Sequence, residues 1–420
     1  MMHFPVVASL VVLLTTSWGL CSQAKTKSRG EISVSSRTFI PDDDEYTKDW
    51  GLSTDARLEF KAKQSGGFRQ EVRILGRAAA HDEQRSSVIL EEAWAGWKGE
   101  HVEMLLGARL INWSATEAFH PADIINSRNL DSNIENAEKI GEPMASVRLR
   151  FGQGGLSAFF MPLRQAPRLP GPRSRLSLSQ GQVVGQALWA DRTGHLGTGL
   201  WASQWAVRVD QTFGGLDVAL HFVDHQDRGQ PAVVFDASNG EVHPVYRRVQ
   251  RVGGTLAYVV GEWLVKAEID HRWFDALSPP DSYQVVSPGA GNHTAAAVGV
   301  EWGWGYASGA EGTVLAEGQW AIAPEVPDDE RVALGPFQRD VLVGYRHTWN
   351  DVDGTEFLLG VIMDTERSDE AIVNLTFSRR LNDQWGVQSA LRVIHAPDAG
   401  SALHSQHEAH SFQFDLKRSF

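Results

Sequence analysis

The 420-residue sequence predicts an all-β fold: a transmembrane, antiparallel, up-and-down β-barrel of about eighteen strands, with sixteen as the nearest alternative. Three observations predict it. Apolar and polar residues alternate over stretches of about ten residues, the length of a tilted strand that crosses a bilayer. The connections between these stretches sort by parity into short turns and long loops. After the N-terminus no apolar run approaches the roughly 20 residues of a spanning helix, which excludes a helical membrane bundle.

The alternation is clearest from Leu52 to Lys63, where Leu52, Thr54, Ala56, Leu58, Phe60 and Ala62 interleave with Ser53, Asp55, Arg57, Glu59, Lys61 and Lys63. One face is dry and the other charged, the period-2 signature of a strand between two unlike media. The same pattern places strands at 29–39, 50–63, 68–81, 87–98, 102–111, 144–151, 155–162, 198–210, 215–224, 246–260, 263–273, 293–304, 312–322, 338–349, 355–364, 370–381, 384–394 and 411–420. Every second connection is a short turn, such as Gln64-Ser65-Gly66-Gly67, Gly261-Glu262 and Asn382-Asp383. The others are mostly long: 40–49, 112–143, 163–197, 225–245, 274–292, 323–337 and 395–410, with two short polar ones at 82–86 and 365–369. Turns on one side and loops on the other is the asymmetry of a membrane barrel, and an even strand count puts both chain ends on the turn side. A soluble sandwich or propeller shares the amphipathic strands but has no reason to sort its loops.

In the last strand Phe412, Phe414, Leu416 and Phe420 share one parity against Ser411, Gln413, Asp415, Lys417 and Ser419, with Arg418 the exception. A terminal strand closing on Phe420 resembles that of bacterial outer-membrane β-barrels. The resemblance implies a Gram-negative outer-membrane location among lipid and lipopolysaccharide, and Phe420 as the signal read by the barrel assembly machinery. Trp50, Trp94, Trp97, Trp201, Trp205, Trp263, Trp273, Trp320, Trp349 and Trp385 sit mostly toward strand ends, where indoles form interfacial girdles.

Residues 1–24 read as a secretory signal: an apolar core from Phe4 to Leu14, then Ser22 and Ala24 as small residues before a cut near Lys25. A basic n-region is missing. Cys21, the single cysteine, is removed by that cut or else lipid-modified. Residues 25–420 are then one barrel domain without thiol chemistry and without a cofactor, since no C-x-x-C-H haem attachment is present. The net charge of -13 argues against a nucleic-acid partner.

The most informative connection is 112–143. It follows Gly107-Ala108-Arg109-Leu110-Ile111-Asn112-Trp113-Ser114 and continues Phe119-His120-Pro121-Ala122-Asp123-Ile124-Ile125-Asn126. Gly-x-Arg, a nearby Trp and Pro-x-Asp-x-x-Asn resemble a pattern in the porin-like and alginate-export-like outer-membrane proteins of proteobacteria. The resemblance implies a loop that folds inward and narrows the pore, with Trp113, Pro121, Asp123 and Asn126 in a constriction or a packed loop. The apolar Phe119, Ile124 and Ile125 agree with a segment ordered against something. Asp123 and Asn126 serve equally as turn caps or as solute contacts.

The lumenal parity carries Arg57, Lys61, Arg69, Arg73, Arg77, Arg109, Arg148 and Arg150. This basic wall is either a ladder for carboxylate- or phosphate-bearing solutes or, with Glu59, Glu71, Glu91 and Glu103 beside it, a lattice of cross-strand ion pairs. Asp42-Asp43-Asp44-Glu45 reads as a solvated run or a cation bridge to lipopolysaccharide. His221 and His225, and His404, His407 and His410, lack the companions a metal site needs, so no metal is expected. The basic Pro-rich stretch 167–173 is expected to be extended, facing lipopolysaccharide or solvent. No G-x-S-x-G or similar signature marks a nucleophile, so a hydrolase is the lesser alternative to a non-enzymatic diffusion channel for small polar or anionic solutes. A plugged structural or export barrel working with a periplasmic partner is the other. A homo-oligomer is compatible with the sequence.

Overall fold

The computed structural model describes residues 25–40, 48–80, 84–132, 137–172, 174–177 and 184–420. The signal segment, Cys21 and the acidic run 42–45 lie outside them. Eighteen long strands form a single sheet: β1 Lys25–Phe39, β2 Trp50–Lys63, β3 Phe68–Ala80, β4 Ser87–Lys98, β5 Val102–Arg109, β6 Glu142–Phe151, β7 Gly154–Leu163, β8 Trp201–Phe213 and β9 Leu216–Gln226. The second half is β10 Arg248–Val260, β11 Trp263–Phe274, β12 His293–Gly305, β13 Glu311–Ile322, β14 Arg339–Thr348, β15 Glu356–Asp364, β16 Ala371–Arg380, β17 Trp385–His395 and β18 Ser411–Ser419. Each pairs antiparallel with its neighbours in sequence, and β18 returns to β1 in the register Glu31↔Ser419 through Phe39↔Ser411. The sheet is a closed barrel, the only solution besides helices that leaves no backbone group unpaired in hydrocarbon.

The alternation read from the sequence becomes the two faces of the wall. On β2, Leu52 and Leu58 are exposed outward while Ser53, Asp55 and Arg57 line the lumen. Trp97, Trp263, Trp302 and Trp349 are exposed at the turn end, and Trp50, Trp201, Trp205, Trp273 and Trp320 at the loop end, forming two girdles. Trp94 departs from the expected girdle. It pairs with Glu71 on the lumenal parity, because a bulge between Arg73 and Ile74 shifts β4 by one residue. Arg418, the outward exception in the last strand, lies over the Trp385 ring at 5.6 Å, a cation–π contact that accommodates a guanidinium at the interface.

The long loops are more structured than the sequence suggests. Leu188–Ala190 and Leu196–Gly197 between β7 and β8, Ala232–Asp236 and Glu241–Tyr246 between β9 and β10, and Tyr283–Ser287 between β11 and β12 make a five-stranded sheet. It buries Leu188, Ala190, Ala232, Val234 and Val245 in a core of its own. Arg168 of the Pro-rich stretch exchanges backbone hydrogen bonds with Arg128 and Leu130, and its guanidinium donates to the Gln84 carbonyl at 2.8 Å.

The chain closes at Phe420, whose backbone N–H and C=O both pair with Gly30 at 2.9 Å. Its ring lies where a side chain at position 30 would stand, so a substitution there would displace the ring. Deleting Phe420 removes both seam hydrogen bonds and the ring. The folded, heat-modifiable barrel recovered from membranes should then fall more than single-channel conductance changes; normal membrane levels of the truncated chain would contradict this.

Candidate functional site

The loop after β5, residues 110–141, decides the shape of the lumen. Its root starts at Gly107, whose φ of +138° and approach to the Ala93 carbonyl no side chain would permit. Asn126 then ties the two ends of the loop together: its Oδ1 accepts the Ile111 N–H at 2.7 Å, and its Nδ2 donates to the carbonyls of Arg109 and Ile140 at 2.8 and 2.9 Å. Asp123 accepts the Trp113 N–H at 3.3 Å and meets Arg128 and Lys139 at 2.6 Å each. Pro121, Asp123 and Asn126 are buried; Asp123 and Asn126 build the root of the loop, and Pro121 lies where the loop meets the far wall, its carbonyl on Arg251. Trp113 is likewise buried, edge-on to Phe159 at 5.8 Å and under the Arg208 guanidinium at 5.0 Å.

From this root the loop crosses to the far wall, where two carboxylates receive it. Glu268 of β11 accepts hydrogen bonds from Ser114 Oγ (2.8 Å), the Ala115 and Thr116 N–H groups (2.6 and 2.9 Å) and Thr116 Oγ1 (2.7 Å) on one oxygen, and from the Ala122 N–H (2.9 Å) on the other. Glu317 of β13 accepts the N–H groups of Glu117 and Ala118 at 2.6 and 2.9 Å. Hydrogen bonds to an ionised acceptor are worth about 1.5–3 kcal/mol each, so the clasp dominates the loop's position. Lys266 adds an ion pair to Glu117 at 2.8 Å. Phe119 completes the landing against Phe337, ring centroids 5.5 Å apart, beside Leu315, Leu342 and Leu403.

Behind the loop the barrel is filled. Arg228 donates to the Ile125 carbonyl at 3.0 Å and pairs with Glu142 at 2.6 Å. Arg251 donates to the Pro121 carbonyl at 3.3 Å and pairs with Asp270 at 2.6 Å, which also meets His221 at 3.2 Å. These charges are almost wholly buried, and each has a partner, as buried charges must. His221 and His225 stand on this wall, buried rather than wetted.

In front of the loop an open cavity of about 520 Å³ remains. It lies between the loop tip, Glu117 and Ala118, and the wall from β13 through β18 to β3. Seven cations (Arg37, Arg57, Arg77, Arg85, Arg346, Arg392, Lys417) and six carboxylates (Glu31, Asp55, Glu117, Asp131, Glu138, Asp415) line it.

Of the basic residues read from the sequence, Arg57 and Arg77 reach this cavity. Arg57 pairs with Glu91 at 3.0 Å, and Arg77 with Asp55 and Glu138 at 2.8 and 3.0 Å. Lys61, Arg69 and Arg73 follow on the same face toward the turns; Lys61 meets Glu71 at 3.3 Å and Arg73 meets Glu91 at 3.0 Å. Arg109 lies 5.8 Å over Trp94. Arg148 forks onto Asp210 at 2.6 and 2.7 Å, and Arg150 donates to the Gly99 carbonyl. Cross-strand pairing thus occupies most of the ladder.

Glu268 and Glu317 were not singled out by the sequence. The available signal was a carboxylate on the lumenal parity of a strand, which many other positions share. Arg37, Arg346, Arg392 and Lys417 were missed for the same reason.

Burial works against the Glu117 charge, but the bond from Lys266 and the fields of Lys266, Arg346 and His120 together hold its pKa below the ordinary 4.5. A lowered carboxyl pKa means that the charge is kept above 4.5 and lost only as pH falls below it. The part of ion selectivity that disappears in Glu117→Gln should therefore titrate with a midpoint under 4.5; a midpoint above that value would refute the assignment. Glu268→Ala leaves the Ala115, Thr116 and Ala122 N–H groups without their acceptor, whereas the Ser114 and Thr116 hydroxyls keep the Thr116 and Phe119 carbonyls within reach. Single-channel conductance should rise and become noisy as the loop detaches, with Glu268→Gln intermediate. A well-folded Glu268→Ala barrel of unchanged conductance would count against the clasp.

No protein-family model and no curated protein matches the sequence. Among solved structures, OpdO from Pseudomonas aeruginosa superposes with a TM-score of 0.53 at 10% identity, covering 94% of this chain and 96% of that one. A second structure of the same Pseudomonas aeruginosa protein, as OccK3, gives 0.52 at 10% identity over 94% and 95%. OmpF from Salmonella typhi, in complex with daunomycin, gives 0.48 at 10% identity over 94% and 98%. At this identity the likeness to the two Pseudomonas aeruginosa structures shows the fold, a closed β-barrel, and nothing of the solute.

Proposed function

We propose that this chain is an outer-membrane diffusion channel for small polar solutes, with a preference for anions such as uronic-acid-type sugars. The observation that carries the reading is the open, charge-lined cavity left between the clasped loop and the wall. A lumen closed to solutes has no need of thirteen ionisable side chains facing one space. The anionic preference is supported by the exposed guanidinium of Arg57 and by Arg346 and Lys417, which have no carboxylate of the described residues within ion-pair distance. Guanidinium forks take carboxylates bidentately, and low-dielectric walls strengthen their field. The Gly-x-Arg and Pro-x-Asp-x-x-Asn loop, whose Asp123 and Asn126 build the root of the inward segment, supports kinship with the alginate-export-like group.

The filled half of the barrel behind the loop favours a second reading, a plugged barrel that opens only with a partner. Reconstitution in a planar bilayer separates the two. A diffusion channel conducts as pure protein, with a reversal potential on the anion side, and Arg57→Ala with Arg346→Ala should lower the anion-to-cation permeability ratio about twofold. Cation preference in the unsubstituted protein, or a ratio untouched by the substitutions, removes the anionic assignment. Silence that ends when 112–143 is deleted supports the plugged barrel instead.

A further inference from the structure

The barrel is closed over most of its height but not at the turn end. Gly30, paired with Phe420, is the last β1 residue bridged across the seam among the described residues. Lys25–Arg29 continues beyond, paired to β2 on one side from Lys25↔Lys63 to Arg29↔Glu59 and exposed throughout. Among the described residues nothing pairs with its other side, so within them this segment is a strand edge without a partner.

The same strand ends carry uncompensated charge. Lys25 stands opposite Lys63, which stands opposite Arg69, three cations abreast on neighbouring strands. Lys27 faces Lys61, whose ammonium is already shared between Glu59 and Glu71. Lys25, Lys27, Arg29, Lys63 and Arg69 form no ion pair with any described residue. Like charges directly opposite destabilise a sheet, and they are concentrated here in a chain of net charge -13. Lysines often guard an open edge against aggregation. That explanation covers β1 alone, whereas Lys63 and Arg69 lie on interior strands. All the cations share the lumenal face, as their cross-strand registers require.

We propose that this end of the barrel is a docking edge for an extended acidic segment of a periplasmic protein, added as a further strand along Lys25–Arg29. Backbone hydrogen bonds to the edge would hold it, and its alternate Asp or Glu side chains would meet the cations of β1–β3. Strand addition with side-chain specificity on one face is an established mode of peptide capture. The proposal goes beyond the channel reading and depends on it only for the compartment that the turn end faces. Conductance in a bilayer tests the channel and is independent of the binding measured here.

The test uses the full barrel in detergent micelles and a fluorescent ten-residue peptide of alternating Glu and Val, read by anisotropy at several salt concentrations. Binding is expected, weakening at least about tenfold, equivalent to 1.4 kcal/mol, in Lys25→Glu with Lys63→Glu and in a peptide N-methylated at alternate amides. Equal binding of the N-methylated peptide, or of soluble polyglutamate too disordered to pair, would show a plain polyanion patch and overturn strand addition. Equal binding of the Lys-for-Glu peptide, or no binding at all, would overturn the proposal outright. Far-ultraviolet circular dichroism of the substituted barrel guards against loss of fold.

Discussion

The lumen depends on one carboxylate. Glu268 stands on the inner face of β11 and receives five hydrogen bonds from Ser114, Ala115, Thr116 and Ala122, residues more than 140 positions away in the chain. A loop crossing a barrel exposes backbone N–H groups that neither a helix nor a sheet satisfies. Here Glu268 and Glu317 satisfy them, so the segment is held chiefly by its main chain, with the Ser114 and Thr116 hydroxyls beside it. Phe119 goes into an apolar landing; Glu117 goes to the cavity. If the clasp opened, the buried ions behind the loop would lose their cover and the cavity in front would lose one wall.

The two halves of the barrel follow from that arrangement. Behind the loop, Arg228, Arg251, Glu142 and Asp270 are shielded from water and pairwise neutralised, because an unpartnered ion in such a place would cost several kcal/mol. In front, the charges line an open cavity and their balance is near neutral, seven cations against six carboxylates. The basic ladder recognised in the sequence lies across both environments. Arg57 and Arg77 face the open side, whereas Arg148 is bound to Asp210. Whether an arginine on the lumenal parity is available to a solute is set by its carboxylate partners as well, since Arg57 and Arg77 face the cavity yet pair with Glu91 and with Asp55 and Glu138.

Closure imposes its own economy. Seventeen of the eighteen strand junctions join strands that follow one another in sequence, and only the β18–β1 junction must be found across the whole chain. That one rests on the Gly30–Phe420 pairing at its lower limit, where the absence of a side chain at position 30 admits the terminal ring. Below it, among the described residues, the cationic Lys25–Arg29 segment of β1 pairs with β2 alone.

Much of this was legible in residue order. A period of two survives any tertiary arrangement, since successive side chains must point to opposite faces, so the eighteen strands, their parity and the loop asymmetry follow from local chemistry. Asn126 and Asp123 were visible as capping residues of an inward loop because their partners, Ile111, Trp113 and Arg128, lie close by in sequence. Trp94 was misread because a single bulge, invisible in the alternation, reverses the parity of β4 beyond it. The cap sheet was missed because its strands are only two to six residues long and pair between different loops. Where the inward loop lands, which arginines stay open and where the seam stops pairing were decided by the tertiary structure alone. Each of these brings together groups far apart in the chain, and a carboxylate such as Glu268 carries no local sign of the amides it will receive.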